Sequence, residues 1–416
     1  MKRPIFRATS IVLLMLCMMY FLTYLDRVNV STAAEGFSKE FNLNKTQIGL
    51  VFSSFAYPYL IFQIIGGWVS DHFGAKRTLI FCGAMWAVAT ILTGFSVGLF
   101  SILMARLLLG LGEGATFPAA TAAMARWVKR ENRGFAQGLT HAFSRIGNAA
   151  APTLIVYIMA TYGWRMAFYV TGVLSLIWVV VWALTFTEDP ADHPGVSASE
   201  LAGLPESRKK NVQVPWSPLS KRMLPVTIVY FCYGWTLWLF LSWIPQYFLH
   251  SYHMDLKSSA WFSSGVFFAG VLGDTLGGHV SDRIFKRTGN LKRARSQMVA
   301  VCLLSSMLAM LPSLFSHSLL ISCLSLSTGF FFAEMTIGPM WAIPMDIAAE
   351  FSGTARGMMN TGSALAAIIS PVASGYLIDR YNNWELPFFV SIILMAVGVM
   401  LAYRMHPERK FDALAQ

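Results

Sequence analysis

Apolar and polar positions alternate along this chain on a long wavelength: about 20 apolar residues, then a few polar or charged ones, over and over. Windows of about 19 residues place twelve such stretches, near 11–34, 45–69, 78–97, 99–121, 135–160, 165–187, 223–248, 258–280, 297–315, 318–345, 355–378 and 384–405. Each is long enough to cross a hydrocarbon core ~30 Å thick as a helix. The pattern predicts an all-α membrane protein with twelve transmembrane helices. One longer polar connection, residues 188–222, carries five prolines and a mixture of acids and bases, and reads as a flexible cytoplasmic linker. It divides the chain into an N-terminal six-helix bundle (1–187) and a C-terminal six-helix bundle (223–416). Composition agrees. Hydrophobic residues make up 55% of the chain and charged ones 13%, about half the charged share of a soluble domain.

Charge then orients the spans. With both termini cytoplasmic, 24 of the 32 Lys and Arg fall on the inner side, five on the outer side, and Arg27, Arg106 and Arg145 within the membrane. That asymmetry follows the positive-inside rule for an even number of spans. The net charge of +11 does not point to nucleic acid, because the basic residues lie in loops between spans and form no continuous stripe. The basic N-terminal flank leads into an apolar run too long for a signal peptide, and YLDRVN is no small-residue cleavage site, so a retained first span is expected. The five cysteines lie in apolar segments without CxxC spacing and read as packing residues. There is no HExxH, GxSxG or Cys/His cluster, so no enzyme, cofactor or metal site is implied.

The halves repeat. GGWVSD (66–71) closes the second span and GGHVSD (277–282) the eighth, each followed by a basic loop, HFGAKR or RIFKRTGNLKRAR. A weaker echo pairs ENRGFAQG (131–138) with GTARGMMN (353–360), each leading to a proline, Pro152 or Pro371. Parallel six-span repeats imply a two-fold axis along the membrane normal, with any site near the midplane. The GGxxSDxxGxKR loop resembles the signature of the major facilitator superfamily. YLDR in span one, RxxxGxGEGxxFP in span four and W-x5-RG after it resemble the anion–cation symporters of that superfamily, and the resemblance covers the whole chain. It implies the major facilitator fold and transport of an organic anion, since the family includes bacterial carriers of sugar acids such as galactonate and glucarate, and animal sialic-acid and glutamate carriers. The short first outer loop (35–45) is similar to that of bacterial members, which implies the bacterial cytoplasmic (inner) membrane; a monomer is the expected state.

Asp26 and Arg27 stand out as charges in an apolar span. An ionised residue at the bilayer centre costs at least ~2.5 kcal/mol on insertion scales, so function is the default reading. Neighbours on a helix point about 100° apart. Tyr24, Arg27 and Ser31 therefore share one face, and Asp26 turns toward another helix. In span four, Arg106, Gly110, Glu113 and Phe117 fall on one face, and the strip Gly110, Gly112, Gly114 is expected to bring that helix against span one. These charges could merely neutralise one another as buried ion pairs, which often fail to offset their desolvation. Alternatively they couple protons to an anion: Arg27 keeps its charge, so whenever Asp26 and Glu113 are protonated it lacks a counter-ion that an anionic substrate can supply. The resemblance implies the same roles, with Asp26 and Glu113 in proton coupling and Arg27 on the substrate carboxylate.

Tyr24 and Arg106 join the candidate substrate contacts, as do Ser144 and Arg145 in span five. Arg145 either faces the cavity as a second anion contact or snorkels inward. His141 reads as a packing residue or a proton relay. In the second half, tryptophan and tyrosine offer apolar faces with hydrogen-bonding edges suited to a polyhydroxylated chain. The resemblance points to Trp341, Asn360, Ser363 and Tyr59. Asp71, Arg77 and Asp282 in the GGxVSD loops are candidate gating residues. Asp274 and Glu334 depart from the family pattern, and either adds a proton site or hydrogen-bonds in protonated form. The leading expectation is a proton-coupled importer of a sugar acid or related carboxylate by alternating access. An anion exchanger and a non-transporting anion sensor are the alternatives. A dianionic phosphate would favour a matched arginine from each half, and the second half has none inside a span.

Overall fold

A computed structural model describes residues 7–129, 133–204, 214–316, 318–348 and 352–411. The described residues form helices and no strand. A helix occupies each of the twelve predicted spans, and eight of them are long and apolar enough to cross a membrane on their own: Ala8–Thr32, Ala75–Gly94, Leu99–Trp127, Trp164–Thr185, Trp216–Ser251, Arg293–Phe315, Leu319–Ile347 and Gly353–Tyr381. Leu386–Ala402 is apolar but shorter. The second span is split into Lys45–Ser54 and Ala56–Phe73, while the fifth (Arg133–Tyr162) and eighth (Leu256–Thr288) carry more polar residues. Large apolar side chains such as Phe81, Leu184 and Met400 are exposed on helix surfaces, as expected where lipid rather than water is the neighbour.

The chain forms two compact units. One comprises Met1–Asn29 and Ser54–Asn211; the other comprises Val30–Ser53 and Val212–Gln416. Residues 30–53 therefore cluster with the later part of the chain.

The first unit is organised around aromatic packing. Trp178 and Trp182 lie four residues apart on one face of the sixth-span helix and their rings stack at 5.5 Å, and Phe186, the first residue past its end at Thr185, stacks on Trp182 at 4.0 Å. Trp86 of the third span continues the ladder at 5.6 Å, and the Trp178 indole N–H bonds the Met15 carbonyl at 2.8 Å. Spans two and four approach backbone to backbone. A Cβ added at Gly110 would stand 2.0 Å from the Phe55 carbonyl oxygen, and one at Gly114 would stand 2.5 Å from Phe62 Cβ.

The glycine strip of span four thus meets a different partner from the one expected. Gly110 and Gly114 face span two, and Gly112 faces Trp86 and Cys82 of span three. Two residues turn a helix by about 200°, so alternate glycines look to opposite sides. Span one is met instead by Gly147 of span five, whose added Cβ would lie 2.5 Å from the Phe21 carbonyl oxygen.

Two features anchor polar ends. Glu188, at the start of the connection after span six, accepts the Ala75 and Lys76 backbone N–H groups at 3.1 and 2.8 Å and pairs with Arg126 at 2.8 Å. A carboxylate at a helix N-terminus complements the macrodipole. The connection continues with a capping box at Ser197–Glu200 and His193 edge-on to Trp127; its residues 205–213 lie outside the described residues.

Within the second unit, Asp379 caps the Lys45–Ser54 helix by accepting the Lys45 N–H at 2.9 Å and the Thr46 N–H at 2.6 Å. Beside it, the His250 ring lies 3.1 Å from Glu35 and stacks on Trp384 at 5.0 Å. The hydrogen bond with His250 is the main reason the Glu35 carboxyl is held down to about 2, so Glu35 keeps its charge at any pH well above that value. Removing the cap is the simplest test of this corner. Asp379→Ala is expected to cost about 1 kcal/mol, the usual worth of an N-cap, read as a lowered thermal midpoint of the purified protein, with Asp379→Asn retaining most of the stability.

Candidate functional site

The first unit gathers most of the residues expected to work. Arg27 sits on the Ala8–Thr32 helix, wholly inside the protein, and gives both Nε and one terminal nitrogen to a single carboxylate oxygen, Oε2 of Glu113, at 2.9 and 2.8 Å. Glu113 is itself 0% exposed. Its second oxygen, Oε1, is buried with no hydrogen-bond partner among the described residues. A fork-to-fork arginine pair would use both oxygens. Here one oxygen takes two of the guanidinium nitrogens and the other is left without a partner among the described residues.

Aromatic rings surround the same guanidinium. Its carbon lies 4.6 Å from the Tyr24 ring centre, 5.0 Å from Tyr59, 5.3 Å from Phe117 and 5.6 Å from Phe55. A cation over a ring face gains roughly 0.5–2 kcal/mol, most where water is excluded. The cage therefore holds Arg27 in place by attractions that do not depend on the charge of Glu113. Breaks in two helices create it: span two is interrupted at Phe55 and span four at Ala115, which aims Phe55 and Phe117 at the arginine.

Asp26 turns away, as its position on the helix requires. It accepts from Thr90 Oγ1 of span three at 3.3 Å, with Thr171 of span six also alongside. Arg106 is 2% exposed, stacks over Phe55 at 5.1 Å, and lies within electrostatic reach of both Glu113 and Asp26. Its Nε is buried without a hydrogen-bond partner among the described residues. Arg145 is buried with its guanidinium carbon 5.8 Å from the Tyr24 ring, so it faces the site rather than snorkelling. Its neighbour Ser144 is buried and gives its hydroxyl proton to the His141 carbonyl at 2.6 Å. His141 packs its ring against Tyr20 at 5.8 Å.

Trp341, Asn360 and Ser363 belong to the second unit. The Trp341 indole donates to the Tyr230 hydroxyl at 3.0 Å, and Ser363 Oγ accepts from the Trp238 indole at 3.3 Å. Asn360 is partly buried three residues before Ser363. Of the gating candidates, Asp282 pairs with Arg295 at 3.3 Å, and Arg295 also binds Asp346 at 3.0 Å. Arg77 is exposed. The side chain of Asp71 lies outside the described residues, as do residues 131 and 132 of the ENRGFAQG echo.

Sequence reasoning missed three contributors. Phe55 carries no signal in hydropathy because an aromatic in an apolar span looks like any other. Thr90 and Thr171, the hydroxyls beside Asp26, are threonines inside otherwise apolar spans. That incongruity is readable once a buried acid needs partners.

Comparison with known proteins bears on what such a site does. A family model described as Major Facilitator Superfamily matches residues 16–371. The chain is 44% identical over 418 residues, 99% of its own length and 97% of the other's, to a protein named a probable sulfoacetate transporter in Cupriavidus necator. It is 28% identical over 417 residues, 94% of this chain and 91% of the other, to a probable galactarate/D-glucarate transporter of Escherichia coli. Among solved structures, a bacterial homologue of the human lysosomal transporter Spinster, in an inward-facing and occupied conformation, aligns with a TM-score of 0.78. That match covers 97% of this chain and 98% of the other at 14% identity, and it is a likeness of fold alone.

Proposed function

We propose that this chain, which belongs to the major facilitator superfamily, imports a small organic anion together with protons across a bacterial cytoplasmic membrane by alternating access. The observation that carries this reading is the Arg27–Glu113 contact: a guanidinium bonded to one carboxylate oxygen, caged by four aromatic rings, with the second oxygen bare and buried.

The chemistry follows from charge. With Glu113 ionised, Arg27 is neutralised and offers little to an anion. A proton on Oε1 cancels that partner while Arg27 stays charged, and the cage keeps the guanidinium oriented and dry. An anionic group entering this region replaces Glu113 as counter-ion. When the anion leaves, the bare cation draws the carboxylate back and the proton is released. Asp26 and Arg106 repeat this arrangement in looser form, with Thr90 and Thr171 in place of a direct ion pair.

Counting charges narrows the cargo. Arg27, Arg106 and Arg145 stand against Asp26 and Glu113, leaving one positive charge when both acids are ionised and two once Glu113 is protonated. An anion with two charges matches the protonated site. The 44% identical relative is named for sulfoacetate, which carries a carboxylate and a sulfonate. A short sulfonated carboxylate is therefore the first substrate to try, and sugar acids, favoured by the motifs and by the more distant relatives, the second.

Uptake into proteoliposomes of labelled sulfoacetate, galactonate and glucarate, with and without a pH gradient that is acidic outside, tests the reading. Gradient-driven accumulation supports a proton-coupled importer. Uptake only against internal anion would mark an exchanger, and binding without uptake a sensor.

A further inference from the structure

Glu334 has no part in the mechanism above, yet it is a glutamate 0% exposed inside the tenth span. Its surroundings repeat those of Glu113. The chain reads EGATFP at 113–118 and EMTIGP at 334–339, so each glutamate stands five residues before a proline. Both lie in spans of equal length, Leu99–Trp127 and Leu319–Ile347, each 29 residues. Both spans are interrupted just after the glutamate: one helix ends at Gly114 and resumes at Thr116, the other ends at Glu334 and resumes at Ile337.

The partners correspond as well. The first helix of each half carries a tyrosine three residues before the group that meets the glutamate. Tyr24 precedes Arg27, which bonds Glu113; Tyr230 precedes Tyr233, whose hydroxyl donates to Glu334 Oε1 at 2.8 Å. Arg27 packs on Tyr24 at 4.6 Å, and the Tyr230 and Tyr233 rings stack at 5.4 Å. The difference at the contact itself is that a phenol stands where the first half has a guanidinium, and Gly338 stands where the first half has the cage residue Phe117.

We infer that Glu334 is a third proton-carrying carboxyl, placed by the internal repeat at the position of Glu113 and bound to Tyr233 instead of an arginine. This inference rests on the proton-coupled reading given above. A phenol donates a hydrogen bond but brings no positive charge, and the Lys and Arg residues of the second half's spans sit at the span ends. An ionised carboxylate sealed in such a setting is costly, so Glu334 is neutral while buried and yields its proton only when the surrounding helices let water reach it. Unlike Glu113, it creates no binding charge for the anion. It adds a proton to the cycle and nothing to the anion's counter-charge.

Among the described residues, the ionisable groups on the elements packed against it are these. The Trp216–Ser251 helix presents Tyr233 and Tyr230. The Leu256–Thr288 helix packs Gly270 against the Glu334 side chain, at 3.1 Å from an added Cβ, and carries the half-buried Asp274 one turn further on. The Met298–Met310 helix has Cys302 and no acidic or basic residue, and on the resumed half of the same span the first acid is Asp346, which is paired with Arg295.

The test is the proton-to-anion ratio, measured from the membrane potential and pH gradient at which net flux of labelled anion reverses in proteoliposomes. Glu334→Gln preserves shape and still accepts from Tyr233, so folding and anion affinity are expected to hold while the ratio falls by one proton per anion. Tyr233→Phe should shift the pH profile of transport without abolishing it. An unchanged ratio in Glu334→Gln would overturn the inference, as would a fall of one in Asp274→Asn instead. If the parent protein shows no proton movement with the anion, the failure belongs to the coupled reading as a whole; a coupled parent with an indifferent Glu334→Gln condemns the third site alone.

Discussion

Arg27→Ala is expected to bind no anion at any pH. Loss of the guanidinium removes the fixed charge that cargo would neutralise, and charge-assisted hydrogen bonds of this kind are worth about 1.5–3 kcal/mol each. It also strands Glu113 in the protein interior, and breaking one side of a buried pair typically costs about 3–5 kcal/mol. A fall in yield would therefore be ambiguous by itself. Two further variants separate binding from folding. Arg27→Ala with Glu113→Gln removes the stranded charge along with its partner and should recover thermal stability while remaining unable to bind. Arg27→Lys keeps a charge but replaces the planar fork by a point donor, and loses the two-nitrogen grip seen on Oε2. Its affinity should drop roughly 10- to 100-fold, the equivalent of one such hydrogen bond at about 1.4 kcal/mol per factor of ten. Calorimetry or a thermal-shift titration with sulfoacetate reads both. Normal affinity in Arg27→Ala would remove the basis of the proposed mechanism.

Much of this site is legible in the bare sequence because charge in an apolar span is improbable without a reason. Asp26, Arg27, Arg106 and Glu113 identify themselves that way, and helical periodicity already turns Asp26 and Arg27 to different neighbours, as the contacts with Thr90 and Glu113 bear out. Direction of packing is another matter. Three glycines at alternate positions look like one smooth strip in sequence, yet Gly110 and Gly112 look to opposite sides and contact spans two and three. Helix breaks are hidden too. Nothing in hydropathy distinguishes Phe55 from its neighbours, but the interruption there brings its ring onto Arg27 and Arg106. The clustering of residues 30–53 with the later part of the chain goes with contacts such as Lys45 with Asp379 and Gly49 with the Pro371 backbone, more than 300 positions apart, which local patterning does not register.

Glu113→Gln should behave in the opposite way to the arginine variants. The amide oxygen can still accept the Arg27 N–H groups in the place of Oε2, so the fold and the cage are preserved. What disappears is the negative charge and the capacity to gain or lose a proton, and the site is fixed in the form that the protonated carboxyl would have. Anion binding should persist, and its pH dependence should flatten, because affinity in the parent falls as Glu113 ionises and competes for Arg27. Exchange of labelled for unlabelled anion across the membrane requires no net proton movement and should continue. Accumulation is different. Each proton moved down one pH unit supplies about 1.4 kcal/mol, a factor of ten in the concentration ratio, and a carrier that has lost this carboxyl forfeits that factor for each pH unit imposed. Accumulation driven by a pH gradient should therefore fall by about tenfold for each pH unit imposed in Glu113→Gln while counterflow remains, a division that simple damage to the fold would not produce. Undiminished accumulation with a steep pH profile in this variant would assign coupling elsewhere and leave the Arg27–Glu113 contact as a structural ion pair.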